Sequence, residues 1–482
     1  MAKEPAYPFV PKTTAHLRPG HFWQIPLSNG QFACGRVLQV PTDRRYGNRT
    51  TILAGLMDWS GSSLPTSEAI AGRAILDQGN AHVATISWNG GQVLGHRPLE
   101  ADDLQPLQQL SDMSPEATLM LGFVELRRST SNERATLTVF STWGLEVIRV
   151  AAERNFVEPR RDRKPLGAFI RSVESPITDE QLRPLDPECR GVQFSAPLTE
   201  SDFVKLARFL ETYPRVSLRI LGHHTESAPD LAFLRHFPFL KHFEADVFEI
   251  ESWDGLQFLP DSLETLSLGA TRRRFSLQPI ARFTQLAELS LDGHSKDADV
   301  LAGFTRLVYL RLRSVTLGGL APLRGLRELR SLELKLGGTH DLALLPELTS
   351  LRYLELWRVQ GVRDLSPVAE LSQLRYLFLQ DLAEVRSLPS FATLRELRRC
   401  EVENLKGLTD LTPIAAAPNL EELVISGMRH IAVDSLACFR GHPTLRAAGI
   451  GLGSLRRDRQ AADLLGLRNV LDIKPIRRYV EA

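Results

Sequence analysis

A leucine frame, L-x-x-L-x-L, recurs along the carboxy-terminal part of this 482-residue chain. The first leucine of the frame stands at Leu263, Leu286, Leu307, Leu329, Leu351, Leu374, Leu397 and Leu420. Successive copies begin 21 to 23 residues apart, and this period and frame are typical of leucine-rich repeats. Degenerate copies around 190–195, 215–220, 240 and 445 extend the array. We therefore predict that residues 190–482 form a solenoid with a carboxy-terminal cap.

Each copy is expected to place its leucines inside the array. The middle and last leucines of a copy, such as Leu354 and Leu356, are two residues apart, so on a strand both point to the same side. A proline follows in most copies, as in LSPVAELSQL at 365–374, and is expected to start a short helix or turn on the convex side. The ninth position usually holds Asn or Cys, but here it holds Thr271, His294, Val315, Gly337, Val359, Leu382, Leu405 and Met428. The sequence thus predicts an α/β solenoid, a curved parallel sheet without an asparagine ladder.

The positions between the leucines are expected to face the concave side of the solenoid, because strand side chains alternate. Neighbouring strands lie roughly 4.8 Å apart, so Tyr353 and Tyr376 should be side by side. We expect an exposed aromatic centre with arginines on one flank and carboxylates on the other. Tyr, Trp and Arg are enriched at interface hot spots, which favours a protein-binding face, although aromatic residues also simply cover sheets. The predicted partner-binding residues are Tyr309, Arg311, Arg313, Glu333, Tyr353, Glu355, Trp357, Tyr376, Phe378 and Arg399.

Residues 1–165 have a different pattern and are predicted to form a mostly β domain. The pattern predicts strands at 21–27, 31–40, 50–59 and 82–88, with a hairpin turn at Ser28-Asn29-Gly30, and helices at 67–76 and 144–156. The charged stretch PRRDRKP at 159–165 is expected to be a solvated linker. Residues 166–189 are then predicted to contain linker and the start of the solenoid.

The segment LRPGHFWQIPLSNGQFACGRVLQV, at 17–40, resembles the opening of the bacterial immunity protein 26 family. The stretch STWGLEVIRVAAERNF, at 141–156, resembles the closing helix of that family. The residues that match in the opening segment are Pro19, Gly20, Ile25, Pro26, Leu27, Gly30, Gly35 and Arg36. The resemblance implies a role in neutralising a toxin in bacterial contact-dependent or polymorphic-toxin systems.

Charge and composition restrict the classes of partner and compartment. Lys+Arg of 58 against Asp+Glu of 57 leaves a net charge of +1, which argues against a protein that coats nucleic acid or an anionic membrane. No signal peptide is expected in MAKEPAYPFVPKTT, and no apolar stretch is long enough to cross a bilayer. The cysteines form no CxxC pair, so we predict a reducing, cytoplasmic location; they are Cys34, Cys189, Cys400 and Cys438.

No motif in the sequence predicts catalysis or a cofactor. The glycines of WNGGQVLGHRP, at 88–98, lack the spacing of a phosphate loop, and no HExxH or Gly-x-Ser-x-Gly occurs. His223 and His224 are adjacent, so on a strand they face opposite sides and make poor metal co-ligands. His96 and Arg97 could bind an anion, although a surface loop is the simpler interpretation. We predict no cofactor, no metal and no enzymatic activity.

Two hypotheses of different class remain. The first is a non-enzymatic interaction protein, specifically an immunity protein that binds a cognate toxin. The second is an enzyme or ligand sensor whose amino-terminal domain binds a small molecule while the solenoid acts as a targeting arm. A pocket lined by convergent polar groups in residues 1–165 would favour the second hypothesis. A generic scaffold is disfavoured by the family resemblance alone.

Overall fold

A computed structural model of the chain describes residues 6–469, except 43–44, 46, 89, 113–116, 131–132, 135–136, 146, 158–168 and 223–230. The chain divides into two compact units. The first contains residues 1–172 and 185–189, and the second contains 173–184 and 190–482. The predicted linker at 159–165 lies outside the described residues, and the boundaries 1–165, 166–189 and 190–482 stay a prediction.

The first unit is mostly β, as predicted. Its strands are β1 His21–Pro26, β2 Phe32–Gln39, β3 Thr51–Gly61, β4 Ile75–His82, β5 Val93–His96, β6 Gln108–Leu110, β7 Thr118–Leu121, β8 Val124–Arg128, β9 Thr142–Trp143 and β10 Ile170–Ser172. A six-stranded sheet has the order β5-β1-β2-β3-β4-β9, and β6, β7 and β8 form a separate antiparallel sheet. The α-helices whose bounds lie within the described residues of this unit are α1 Ala84–Trp88 and α2 Val147–Phe156.

The larger sheet of this unit separates two hydrophobic clusters. Strand alternation sends Trp23 and Ile25 into one cluster, which the α2 residues Ile148 and Ala152 complete. Phe22, the residue before Trp23, points to the opposite face and belongs to the second cluster. The α2 helix confirms the predicted helix at 144–156, and it packs onto the first cluster through its buried residues. The sheet is therefore covered by apolar side chains on both faces.

The hairpin between β1 and β2 confirms the Ser28-Asn29-Gly30 turn. The Leu27 amide donates to the Gln31 carbonyl at 2.8 Å, and Gly30 has a φ of +83°, which favours glycine. The three strands predicted at 21–27, 31–40 and 50–59 are also confirmed.

Two predicted elements of the first unit are wrong. The helix predicted at 67–76 is a set of turns followed by β4, because Gly72 adopts a φ of +67° and its amide donates to an Asp102 carboxylate oxygen at 2.9 Å. The strand predicted at 82–88 is instead helix α1. There the His82 ring accepts the Ala84 amide at 3.0 Å and so caps the start of the helix.

Within the described part of the chain, the second unit contributes thirteen parallel strands, in chain order, to the solenoid sheet. These strands are β11 Gly191–Phe194, β12 Ser217–Gly222, β13 His242–Val247, β14 Thr265–Leu268, β15 Glu288–Asp292, β16 Tyr309–Arg313, β17 Ser331–Lys335, β18 Tyr353–Trp357, β19 Tyr376–Gln380, β20 Arg399–Glu403, β21 Glu422–Ser426, β22 Ala447–Ile450 and β23 Arg468–Asn469. Its α-helices are α3 Glu200–Glu211, α4 Thr412–Ala415 and α5 Leu455–Leu465. Most return segments are short 3₁₀ helices, several with a proline in the first turn, such as Ser366–Glu370.

The leucine frame sets the register of this sheet. Leu310 pairs with Leu332, which pairs with Leu354, which pairs with Leu377. All four are fully buried, as predicted for the inward positions. Equivalent positions of successive repeats are therefore direct neighbours across the strands.

Backbone hydrogen bonds replace the asparagine ladder. In seven successive repeats the residue after the strand has a φ between 50° and 81°; these residues are Gly293, Ser314, Leu336, Arg358, Asp381, Asn404 and Gly427. In the central repeats its amide donates to the last strand carbonyl of the next repeat, as from Leu336 to Trp357 at 2.8 Å and from Arg358 to Gln380 at 2.8 Å. The turn is thus satisfied without an Asn side chain, and the ninth position is free to carry buried apolar residues such as Val359 and Leu382.

We predict that Leu354→Ala lowers the free energy of unfolding by about 2–5 kcal/mol, because it removes a fully buried side chain from the leucine column and leaves a cavity. The control is Thr349→Ala, which alters an exposed residue four positions before the strand and should change stability by less than about 0.5 kcal/mol. Urea unfolding followed by circular dichroism measures both. Equal losses in the two variants would contradict the inward position of Leu354.

Candidate functional site

The open face is the side of the solenoid sheet whose residues alternate with the buried leucines of β16–β20. Register arranges these residues in three rows that run across the strands. The first row contains Tyr309, Ser331, Tyr353, Tyr376 and Arg399. The second row contains Arg311, Glu333, Glu355, Phe378 and Glu401. The third row contains Arg313, Lys335, Trp357, Gln380 and Glu403. All ten predicted partner-binding residues therefore share one face.

The expectation of an exposed aromatic centre is wrong for its two tyrosines. Tyr353 is only 2% exposed and Tyr376 only 7% exposed. Their rings meet edge to face with centroids 4.9 Å apart, and Phe378 packs against the pair. The rings are close enough across adjacent strands to cover one another, so they form a small aromatic core on the open face.

Several charged members of the predicted set are also buried. Glu333, Glu355 and Arg399 are 1%, 4% and 5% exposed. The more accessible members are half-buried or exposed; they are Tyr309, Arg311, Trp357, Phe378 and, most exposed of these, Arg313. Whether any of the ten binds a partner stays a prediction.

One hydrogen-bonded network links β16, β17 and β18. Glu333 accepts from the Tyr309 hydroxyl at 2.8 Å and from Arg311 Nε at 2.9 Å. Lys335 Nζ lies 2.7 Å from Glu333 and 3.0 Å from Glu355, so one ammonium bridges two carboxylates. The Tyr353 hydroxyl donates to Glu355 at 2.8 Å. This network compensates the burial of two carboxylates that the register brings side by side.

A second network links β19, β20 and β21. Glu401 accepts from the Tyr376 hydroxyl at 2.6 Å and from Arg399 Nη2 at 3.1 Å. Arg399 Nη1 donates to Glu422 at 2.9 Å, and its guanidinium lies 5.2 Å from the centroid of the Tyr376 ring. Arg399 thus joins two carboxylates to the aromatic core.

The two carboxylates that share Lys335 have pKa values shifted in opposite directions. Burial opposes ionisation of Glu333, but Arg311 and Lys335 outweigh it and hold the pKa of Glu333 below its ordinary value. For Glu355 burial dominates over the attraction of Lys335, and its pKa is raised. Burial also raises the pKa values of Tyr309, Tyr353 and Tyr376, so these hydroxyls act as donors at neutral pH.

The residues that carry the family resemblance in the first unit are structural. Gly20 has a φ of +99°, and a Cβ there would lie 2.4 Å from the Arg97 carbonyl oxygen. A Cβ on Gly35 would lie 2.2 Å from the Trp23 ring. Both glycines therefore allow close approach of backbone to neighbouring groups.

Arg36 forms the centre of a buried ion cluster. Its guanidinium is fully buried and donates to Asp102 at 3.0 Å and to the Arg97 carbonyl at 2.7 Å. Asp102 also accepts from Arg97 Nη2 at 2.7 Å and from the Gly72 amide at 2.9 Å. Hydrogen bonding to Arg97, followed by that to Gly72 and Arg36, holds the pKa of Asp102 far below its ordinary value. The cluster connects β2 to the loop that contains Gly72 and to the segment that contains Arg97 and Asp102.

His96 and Arg97 are engaged within the fold. Arg97 is paired with Asp102, and His96 Nε2 lies 2.9 Å from the Pro19 carbonyl oxygen. The guanidinium that an anion would need therefore already has a carboxylate partner. The pair His223–His224 lies outside the described residues.

Two kinds of feature are absent from the described residues. In the part of the chain that the structure describes, no three His, Cys, Asp or Glu side chains are grouped so as to hold a metal ion. Among the same described residues, no helix combines the length and apolar character needed to span a membrane.

We predict that Glu333→Gln and Glu355→Gln change stability differently at about pH 7.5. Glu333 has a lowered folded pKa, so its ionised form stabilises the fold above its ordinary pKa, and its loss should cost about 2 kcal/mol. Glu355 has a raised folded pKa, so its ionisation at neutral pH opposes folding, and Glu355→Gln should be neutral or stabilising.

Urea unfolding at about pH 7.5 and about pH 4 checks this prediction. The difference between the two variants should shrink at the lower pH, because the Glu333 contribution is lost as pH falls through its folded pKa and the Glu355 penalty disappears as that group is protonated. Equal destabilisation by both variants at about pH 7.5 would contradict the assigned network.

We predict that Gly35→Ala destabilises the first unit by about 1–3 kcal/mol, because its Cβ would overlap the buried Trp23 ring. Gly144→Ala is the matched control in the same unit, since a Cβ there meets nothing closer than 3.9 Å. Thermal melts followed by tryptophan fluorescence should show a lowered Tm for the first variant alone. A normal Tm for Gly35→Ala would show that Trp23 can move.

The comparison with protein families concerns the first unit. A family model described as Immunity protein 26 matches residues 18–111. This range contains Gly20, Gly35, Arg36 and the Asp102 cluster. None of the curated proteins matches the chain.

The solved structures that resemble the chain include two internalins and a leucine-rich-repeat protein. An internalin from Listeria monocytogenes is 16% identical, with a TM-score of 0.38 over 55% of this chain and 81% of the internalin. Internalin C2 from the same species is 27% identical, with a TM-score of 0.33 over 46% of this chain and 92% of its own. A leucine-rich-repeat protein from Leptospira interrogans is 14% identical, with a TM-score of 0.35 over 62% of this chain and 92% of its own. The chain thus joins a region that matches the Immunity protein 26 model to a leucine-rich-repeat solenoid.

Proposed function

We propose that this chain is a non-enzymatic binding protein that neutralises a toxin protein by binding it. The observation that carries this proposal is the match of residues 18–111 to the Immunity protein 26 model in a chain that continues as a leucine-rich-repeat solenoid. A stacked array presents an extended surface, which suits recognition of a folded protein. Neutralisation then requires occupation of the toxin surface and no chemical step by this chain.

The open face supplies the docking surface in this proposal. Trp357 and Phe378 are half-buried, so part of each ring can be covered by a partner. Arg311 and Arg313 have side chains 43% and 51% exposed, and such charges act mainly on association rate and salt dependence. The buried tyrosines, glutamates and Arg399 lie on the same face, where Phe378 packs against the two tyrosines.

The ion cluster of the first unit favours binding over a small-molecule activity. Its convergent polar groups, Arg36, Arg97 and Asp102, neutralise one another, and Arg36 is fully buried. A cytoplasmic place of action also belongs to the proposal. It is supported by the four cysteines, which all lie among the described residues and form no disulfide there.

The test pairs this chain with the protein products of the neighbouring reading frames. Each is expressed from one inducible promoter in a heterologous bacterium, and this chain is expressed from another. We expect one neighbour to arrest growth alone and the chain to restore growth. If none of the neighbours is toxic, or if the chain fails to rescue growth, the proposal is wrong.

The binding surface is tested with the double variant Trp357→Ala and Phe378→Ala. Each ring should contribute on the order of 2 kcal/mol if it lies in a desolvated hot spot, so the Kd for the purified toxin should weaken by about 100-fold or more. The control is Thr349→Ala with Thr393→Ala, two exposed positions on return segments. Titration calorimetry gives both Kd values. An unchanged Kd in the ring variant would place docking away from the open face.

A further inference from the structure

The polar groups of the open face differ in how far they are satisfied within the fold. In the first and second rows the tyrosine hydroxyls, Glu333, Glu355, Glu401 and Arg399 all have hydrogen-bond partners within the fold. In the third row, Trp357, Gln380 and Glu403 occupy consecutive strands in direct register. These three side chains are half-buried. They form what we call the third-row triad.

The triad has few internal partners among the described residues. No hydrogen bond joins the Trp357 indole N–H or the Gln380 amide to another described side chain. Glu403 has no cation within ion-pair distance in the same part of the chain, and the Ser426 hydroxyl only partly offsets the rise in its pKa. Partly desolvated polar groups without partners lose free energy that a ligand can restore.

The surroundings of Glu403 are acidic. Burial, the neighbouring Glu401 and Asp381 raise the pKa of Glu403. Arg399 is the cation of this strand, and it is committed to Glu401 and Glu422. The amide of Asn404, which also lies close, donates to Asp381. The third-row triad therefore presents a negative end at Glu403 that a cation from outside would complement.

The remaining members of the triad suit a peptide backbone. Gln380 offers one acceptor and two donor hydrogens, which match the carbonyl and amide of an extended chain. The Trp357 indole N–H offers a further donor, and its ring offers apolar area next to Phe378. Two strand spacings separate Trp357 from Glu403, which is roughly 10 Å, or about three residues of extended peptide.

We propose that the third-row triad binds an extended protein segment whose lysine or arginine side chain pairs with Glu403. The backbone of that segment hydrogen-bonds to Gln380 and to the Trp357 indole, and an apolar side chain packs on the Trp357 and Phe378 rings. This inference rests on the proposed function in that it names the chemistry of the partner at the open face. The proposal assigns recognition to the third row, which contains neither the buried tyrosines nor Arg399.

Selection from phage-displayed random dodecapeptides on the immobilised full chain tests this proposal without a toxin. We expect enrichment of peptides that carry Lys or Arg next to an apolar residue. Synthetic copies of the enriched peptides are then titrated by fluorescence polarisation. Glu403→Gln should weaken their Kd by about tenfold or more, because it removes the charge that pairs with the cation. Selection on Glu403→Lys should favour Asp and Glu instead.

Glu370→Gln is the matched control, because Glu370 is exposed on the return segment Ser366–Glu370 and its replacement should leave the Kd unchanged. Thermal melts establish that each variant is folded. Failure to enrich basic peptides, or equal binding by wild type and Glu403→Gln, would overturn the proposal. Growth rescue is measured separately. If the chain selects basic peptides but does not rescue toxin-expressing cells, the proposed function is wrong and the proposal for the third-row triad stands.

Discussion

The strand register set by the leucine frame is the constraint on which the rest of the second unit depends. Leu332, Leu354 and Leu377 are stacked and fully buried, and a one-residue slip would turn the leucines of a strand outward. The same register fixes which open-face residues become neighbours. It places Glu333 directly against Glu355, a repulsive pair when both are ionised. Lys335 and the tyrosine hydroxyls offset this repulsion, which follows from the register of the leucine columns.

The sequence was sufficient to predict the rows but not their burial. The period of the frame and the alternation of strand side chains determine which residues share the open face. Burial of Tyr353 and Tyr376 depends on how far each ring leans towards its neighbour and on the hydroxyl partners Glu355 and Glu401. The Tyr353–Tyr376 and Tyr376–Glu401 contacts join residues in different repeats and leave no local pattern in the sequence. A residue on the open face can therefore still be buried by the equivalent residues of neighbouring repeats.

The errors in the first unit have a similar origin. The stretch at 67–76 has helical composition, but the Gly72 amide is held by Asp102 from thirty residues away. The β-branched residues at 82–88 favour a strand by propensity, yet the His82 ring caps a helix there. In both places a single side-chain contact overrides the local preference. The hairpin at Ser28-Asn29-Gly30 was predictable because its determinants lie within three consecutive residues.

The match to the Immunity protein 26 model and the open face contribute different kinds of information. Gly20, Gly35 and Arg36 are fixed by close packing and by a buried ion cluster, so their roles in this chain are structural and leave the partner unspecified. Specificity then has to come from positions whose side chains are not needed inside the protein. On the open face, the first two rows are largely occupied by internal networks, which hold their side chains in place. The third-row triad lies beside these networks, and among the described residues its Trp357 indole and Gln380 amide have no hydrogen-bond partner. This combination of ordered neighbours and unmet hydrogen bonding is what a recognition surface requires.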